Sequence, residues 1–326
     1  MQPKSRWRPE RHAVAPLLLG LVLSAAVCWP WASDGGRLLL LDWVIGPHHD
    51  LLSRSAHGLD GGVTSGVPLQ ALVGALNAAI GAWATWLPIA VFFPLAATGA
   101  ARLCRAGGAA LPGCLAAAVL FCVNPMVFDR IGAGQIAFLL GYSLLPHALV
   151  ALLHGADRGW RGGFVPGLWI AALVACTSHY AWIVTVLVVA FVLSMRFKIR
   201  LLGCVAVAAL VTAASSIYLL IGPAVGSHQI SASAGADLVA YRTTGASALD
   251  RVVHVVGLYG FWREVPYEPR TVLSGWWLLL LLLLIVATIG YVDRLRRGPS
   301  GLRAMAAALL LAMVAGVLLA LGDQGP

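Results

Sequence analysis

Residues 275–292 read GWWLLLLLLLIVATIGYV, an 18-residue run without one charged side chain. As a helix rising about 1.5 Å per residue, such a run crosses most of the roughly 30 Å hydrocarbon layer of a bilayer. Residues 304–321, AMAAALLLAMVAGVLLAL, form a second run of the same kind. The rest of the chain agrees with these two. Hydrophobic residues make up 60% of it and charged residues 11%, and mean hydropathy is +0.86. A soluble domain of 326 residues needs far more charge to cover its surface. A membrane β-barrel needs short alternating segments, which the sequence lacks. The expected fold is therefore all-α, a polytopic helical membrane bundle formed by residues 1–326 as a single domain.

Nine spans are expected, near residues 13–31, 82–103, 109–123, 135–153, 163–177, 180–195, 201–221, 275–292 and 304–321. Placing the N-terminus in the cytoplasm puts 15 of the 22 basic residues in short inner segments and 10 of the 13 acidic residues outside. That asymmetry is the positive-inside pattern. It leaves two larger external loops, 32–66 and 223–274. The net charge of +9 then reads as anchoring of the inner face against membrane lipid, and nothing supports nucleic acid as a partner. Residues 1–12 are basic and 13–28 apolar, as in a secretory leader. No small-x-small cleavage site precedes Trp29-Pro30-Trp31, so this segment reads as an uncleaved first span. The six cysteines lie in or beside spans, which argues against a disulfide framework.

Two segments have unusual lengths. Residues 67–102 are too long for one span, and Gln70, Gly74, Asn77 and Gly81 share one helical stripe. Both a helix lying at the outer surface and a long kinked span with a small-residue packing stripe fit that pattern. Residues 163–193 are conversely short for two full spans. Their turn, Thr177-Ser178-His179-Tyr180, is expected below the outer surface, where two shortened helices open a lateral cavity.

Charge is scarce among these spans, and Asp42 and Asp129 fall on the same outer side. Asp42 follows four leucines, a position at the membrane boundary that suits a general base; an ordinary helix-capping aspartate is the competing reading. Asp129-Arg130 lies in a short link, 124–135, between two spans. It reads equally as part of a shaped turn or as a surface ion pair of small energetic weight. His48-His49-Asp50 with Asp42 offers ligand types for a divalent metal, although adjacent histidines are not a strong ligand spacing and a solvated pair is the plainer reading. His147, after Pro146 inside a span, reads as a hydrogen-bonded bundle histidine. The long outer loop adds Arg242, Arg263, Tyr259 and Trp262. Carboxylates, imidazoles, guanidiniums and aromatic rings on one face suit a polar, sugar-like or phosphorylated ligand.

Three stretches carry a resemblance. Residues 38–47 read LLLLDWVIGP, 124–146 read NPMVFDRIGAGQIAFLLGYSLLP, and 258–264 read LYGFWRE. Together they resemble the actinobacterial and archaeal multi-span envelope proteins allied to the GT-C glycosyltransferases, including arabinofuranosyltransferase-like enzymes. The likeness covers most of the chain as topology and these short pieces as motif. It implies a polyprenyl-phosphate sugar as donor, an extracytoplasmic glycan as acceptor, and a location in the plasma membrane with the active face outside. On that pattern Asp42 is the catalytic base. Asp129, Arg130 and Gln135 shape the site, Arg242 or Arg263 neutralises the donor phosphate, and His179 and Tyr180 line the lipid cavity. The chain lacks the paired acidic motif of many GT-C enzymes, so a divalent metal stays open. The resemblance also implies a chain continuing past Pro326. A transporter or flippase for lipid-linked sugars is one alternative, and a non-catalytic membrane subunit of an envelope-assembly complex is another.

Overall fold

The computed structural model describes residues 9–40, 42–45, 66–220, 243, 245–260 and 273–320. These residues are overwhelmingly helical. Helix α1 spans Pro9–Ser33 and is followed by a two-stranded antiparallel hairpin, β1 (Leu39–Leu40) and β2 (Trp43–Val44). Then come α2 (Val67–Ile80), a 3-10 turn at Gly81–Thr85, α3 (Leu87–Ala106), α4 (Leu111–Cys122), α5 (Pro125–Gly132) and α6 (Ile136–Ala156). A 3-10 turn at Gly159–Gly162 leads into α7 (Phe164–Cys176), α8 (His179–Ser194) and α9 (Ile199–Ser215). The last helices are α10 (Ala248–Val256), α11 (Trp276–Arg297) and α12 (Ser300–Ala320).

Among the described residues seven helices are long and apolar enough to cross a membrane: Ala13–Ser33, Val67–Thr85, Leu87–Ala106, Leu111–Gly132, Ile136–Ala156, Trp276–Arg297 and Ser300–Ala320. That set marks a membrane protein. Helices occupy all nine expected stretches, but α7, α8 and α9 are shorter than a full span, and Val67–Thr85 joins the long set. The 67–102 segment is broken rather than continuous: Gly81 adopts φ +62° and a 3-10 turn separates α2 from α3. The expected link at 124–135 is mostly a helix, α5. Asn124 ends α4 and starts α5 at once: its amide donates to the Leu120 and Phe121 carbonyls, and its side-chain oxygen accepts from the Val127 N–H. One residue thus satisfies groups at both helix ends.

The core forms where helices come close. α3 packs on α1, α4 and α6, α6 packs on α7, α7 on α9, and α8 on α12. Small residues permit this, as van der Waals packing in lipid requires. At Gly155 and Gly162 the α6 C-terminus and the following turn touch backbone to backbone, leaving no room for a Cβ on either. Gly141 of α6 receives the ring of Tyr180 from α8. His147 is buried between α3 and α7. It stacks on Trp169 at 4.9 Å, its Nδ1 meets Arg102 Nη1 at 3.1 Å, and its Nε2 meets the Leu95 carbonyl at 3.1 Å. A guanidinium can only donate, so Nδ1 accepts and Nε2–H donates to the carbonyl. Both ring nitrogens are satisfied, and the histidine is a structural tie.

Candidate functional site

The hairpin that carries Asp42 is too short to stand alone, and three other elements hold it. Thr85, fully buried, accepts the Leu38 N–H at 2.9 Å through its hydroxyl and the Trp43 indole N–H at 2.7 Å through its carbonyl. Arg37 donates to Asn77 of α2 at 2.7 Å and to the Ile45 carbonyl at 3.2 Å. The Asp42 N–H donates to the Ala133 carbonyl at 2.9 Å, joining the hairpin to the turn between α5 and α6. Gly134 in that turn lies at φ +76°, and a Cβ there would sit 2.8 Å from the backbone nitrogens of both Asp42 and Trp43. Only glycine fits such a left-handed position so close to a neighbouring backbone.

This docking creates a relay of polar side chains. Arg130 donates through Nη1 to Gln135 Oε1, and Gln135 Nε2 donates to Asp42 Oδ2 at 3.1 Å. The Arg130 guanidinium also lies 5.0 Å from the Phe138 ring centroid, a cation–π contact. Gln135 therefore holds a cation and a carboxylate in fixed relation from residues 93 positions apart at its Asp42 end. Asp42 itself is exposed, and among the described residues its other oxygen makes no hydrogen bond.

Asp42, Arg130, Gln135 and His179 all line one cavity of about 590 Å³, with Gln70, Thr177 and Phe138 among the remaining walls. That volume suits a small-molecule ligand. His179 Nδ1 and the Thr177 hydroxyl share a hydrogen bond of 2.8 Å at the turn between α7 and α8. Two expected site residues stand behind the wall. Asp129 is 5% exposed and provides the chief opposing charge for Arg130. Tyr180 is 1% exposed, with its ring against Gly141 and its hydroxyl donating to the Phe138 carbonyl at 2.7 Å. It lies one residue round the helix from His179, so it faces the core rather than this cavity. Arg242 and Arg263 lie outside the described residues, as do His48, His49 and Asp50. Among the described residues no group of three or more His, Cys, Asp or Glu side chains is placed to hold a metal ion.

A second cavity of about 370 Å³ opens between α7, α8 and α9. Its lining is apolar, since the two hydroxyls in it are spent on backbone: Thr185 donates to the Ala181 carbonyl at 2.6 Å and Thr212 to the Gly167 carbonyl at 3.2 Å. Val174 and Ala181 line this apolar space, while Cys176, Thr177 and His179 line the polar one. The ends of α7 and α8 that meet at this turn therefore contribute to both.

Four contributors carry no site role in the sequence reading. Gln70 and Asn77 belong to the polar stripe noted on α2, where the spacing of seven placed them on one face; Gln70 faces the cavity and Asn77 anchors Arg37. Thr85 and Arg37 carried no local signal, because their partners are distant in sequence. No family model, curated protein or solved structure matches this chain.

Proposed function

We propose that the protein is a GT-C-type glycosyltransferase of the plasma membrane, moving a sugar from a polyprenyl phosphate to an extracytoplasmic envelope glycan. The observation that carries this reading is the Arg130–Gln135–Asp42 relay in the wall of one cavity, with an apolar cavity opening farther along α7 and α8. A lipid-linked sugar has the matching halves: a charged headgroup and a long apolar chain.

In this reading the cavity lies outside and the N-terminus inside. α6 begins at the cavity and ends beside Asp157 and Arg158 after 21 residues, a rise of about 30 Å. The basic residues that close α3, α6 and α11 thus lie away from Asp42, in keeping with the positive-inside rule. The free Asp42 oxygen takes the proton from an acceptor hydroxyl. The acceptor oxygen forms its bond to the anomeric carbon as the bond from that carbon to the phosphate oxygen breaks. The electron pair leaves with the lipid phosphate, whose charge Arg130 opposes across the cavity.

General-base assistance accounts for roughly 10²- to 10⁴-fold in rate. Asp42→Asn keeps the shape and the Gln135 contact but cannot accept the proton. Transfer from a radiolabelled polyprenyl-phosphate sugar is expected to fall at least about a hundredfold, with thermal unfolding unchanged. Wild-type transfer by folded Asp42→Asn protein would remove Asp42 from the chemistry.

A further inference from the structure

At the far end of α6 from Asp42, a third cavity of about 360 Å³ lies where the α6 C-terminus meets the turn into α9. Asp157, Lys198 and Arg200 line it together with the apolar Ala156, Met195 and Leu201. Among the described residues none of these three charged side chains has an ion pair or a side-chain hydrogen bond, although a carboxylate and two cations share one space. The volume falls at the small end of the range for ligand pockets.

The surroundings are those of a membrane boundary. Ile199 is 81% exposed, and Phe197 and Trp160 are also exposed beside the cavity. Arg161 lies over the Trp160 ring at 5.2 Å, and the 3-10 turn holding both packs on α9. The turn before α9 has two consecutive non-glycine residues in the left-handed region, Arg196 at φ 54° and Phe197 at φ 53°. Aromatic and aliphatic side chains around a cationic pocket make a place where acyl chains lie against the protein while a headgroup enters it.

We propose that this cavity binds a phospholipid headgroup that carries both a phosphate and a hydrogen-bond donor. Lys198 and Arg200 meet the phosphate. Asp157 meets the donor, an ammonium as in phosphatidylethanolamine or a hydroxyl as in phosphatidylglycerol. The pairing explains why a carboxylate sits among the cations of an otherwise basic end: a site for phosphate alone has no use for Asp157. The site stands apart from the Asp42 cavity by the length of α6, and the inference does not depend on glycosyl transfer.

The test is native mass spectrometry of the full chain in detergent, titrated separately with phosphatidylglycerol, phosphatidylethanolamine, phosphatidylcholine and free glycerol phosphate. Phosphatidylglycerol and phosphatidylethanolamine are expected to be retained in preference to phosphatidylcholine, which has the phosphate but no donor. Lys198→Gln with Arg200→Gln is expected to weaken phosphatidylglycerol binding about thirtyfold. Arg294→Gln with Arg296→Gln removes the same charge from the last turn of α11, outside this cavity, and is expected to leave binding nearly unchanged. Asp157→Ala, which removes the acceptor altogether, is expected to abolish the preference over phosphatidylcholine while retaining phospholipid. Equal losses in the two double variants would show a diffuse charge effect and overturn the site. Phosphatidylcholine held as tightly as phosphatidylglycerol by the wild-type chain would overturn the donor, and free glycerol phosphate held as tightly as lipid would overturn the lipid source.

Discussion

Helices α6 and α11 are both long, apolar and able to cross a membrane, yet 61% of the apolar window of α6 is buried and none of that of α11. In water such equal hydrophobicity predicts equal burial. In a bilayer it does not, because lipid chains are as apolar as leucine and hydropathy reports only that a segment belongs in the membrane. The two sequences differ in their exceptions. α11 is led by seven consecutive leucines, whereas α6 contains Gly141, Ser143, His147 and Gly155. Those four residues are where other elements come close, and all four are buried. α11 is interrupted as well, by Thr288 and Gly290, but nothing lies near Gly290; interruptions that a neighbouring element meets, rather than the strength of the apolar run, mark the helix at the centre of this bundle.

The largest expected effect tests that contrast with one substitution in two places. Gly155→Leu should destabilise the protein by roughly 3 kcal/mol in thermal unfolding, since the Gly162 backbone occupies the space a side chain needs. Gly290→Leu in α11 should leave unfolding unchanged, because nothing lies within 4 Å of its added Cβ. Equal effects would break the comparison. A smaller effect is expected where α6 begins. Gly134→Ala should cost on the order of 1 to 2 kcal/mol for its left-handed backbone and its approach to Asp42. Its transfer rate should fall more than its stability, read as activity per folded molecule, because the hairpin carrying Asp42 must shift. The smallest is Tyr180→Phe, which keeps the ring against Gly141 and removes only the hydrogen bond to the Phe138 carbonyl. About 1 kcal/mol of stability should be lost.

These residues also show which parts of the structure were legible in the sequence. The membrane class follows from long uncharged runs such as 275–292, whose meaning needs no partner. The shortness of α7 and α8 is equally visible, since segment length is a local property, but the apolar cavity beside them is lined from Ala181 onward and not by His179 or Tyr180. Asp42 in the first outer loop, Arg130 and Gln135 in the 124–135 link and His179 in the α7–α8 turn are all expected on the outer side, and the four line one cavity. Their relay was not legible, because a hydrogen bond between Gln135 and Asp42 depends on how the hairpin docks and leaves no mark in either segment. Tyr180 was misplaced by a similar gap: sequence put it beside His179, but only the presence of Gly141 across the interface turns its ring inward. The link at 124–135 was expected as a turn, yet Pro125 can occupy a first helical position, and Asn124 before it is a good cap.

The docking of the Asp42 hairpin also sets an order of events during synthesis. Asp42 leaves the ribosome 93 residues before Gln135. Chains elongate at about 5–20 residues per second, so the carboxylate waits roughly 5 to 20 seconds for its partner. Thr85 and Asn77 emerge within that interval and can hold the hairpin first. The α5–α6 turn then arrives at a surface already made, and the site closes from its N-terminal side as the chain is still being built.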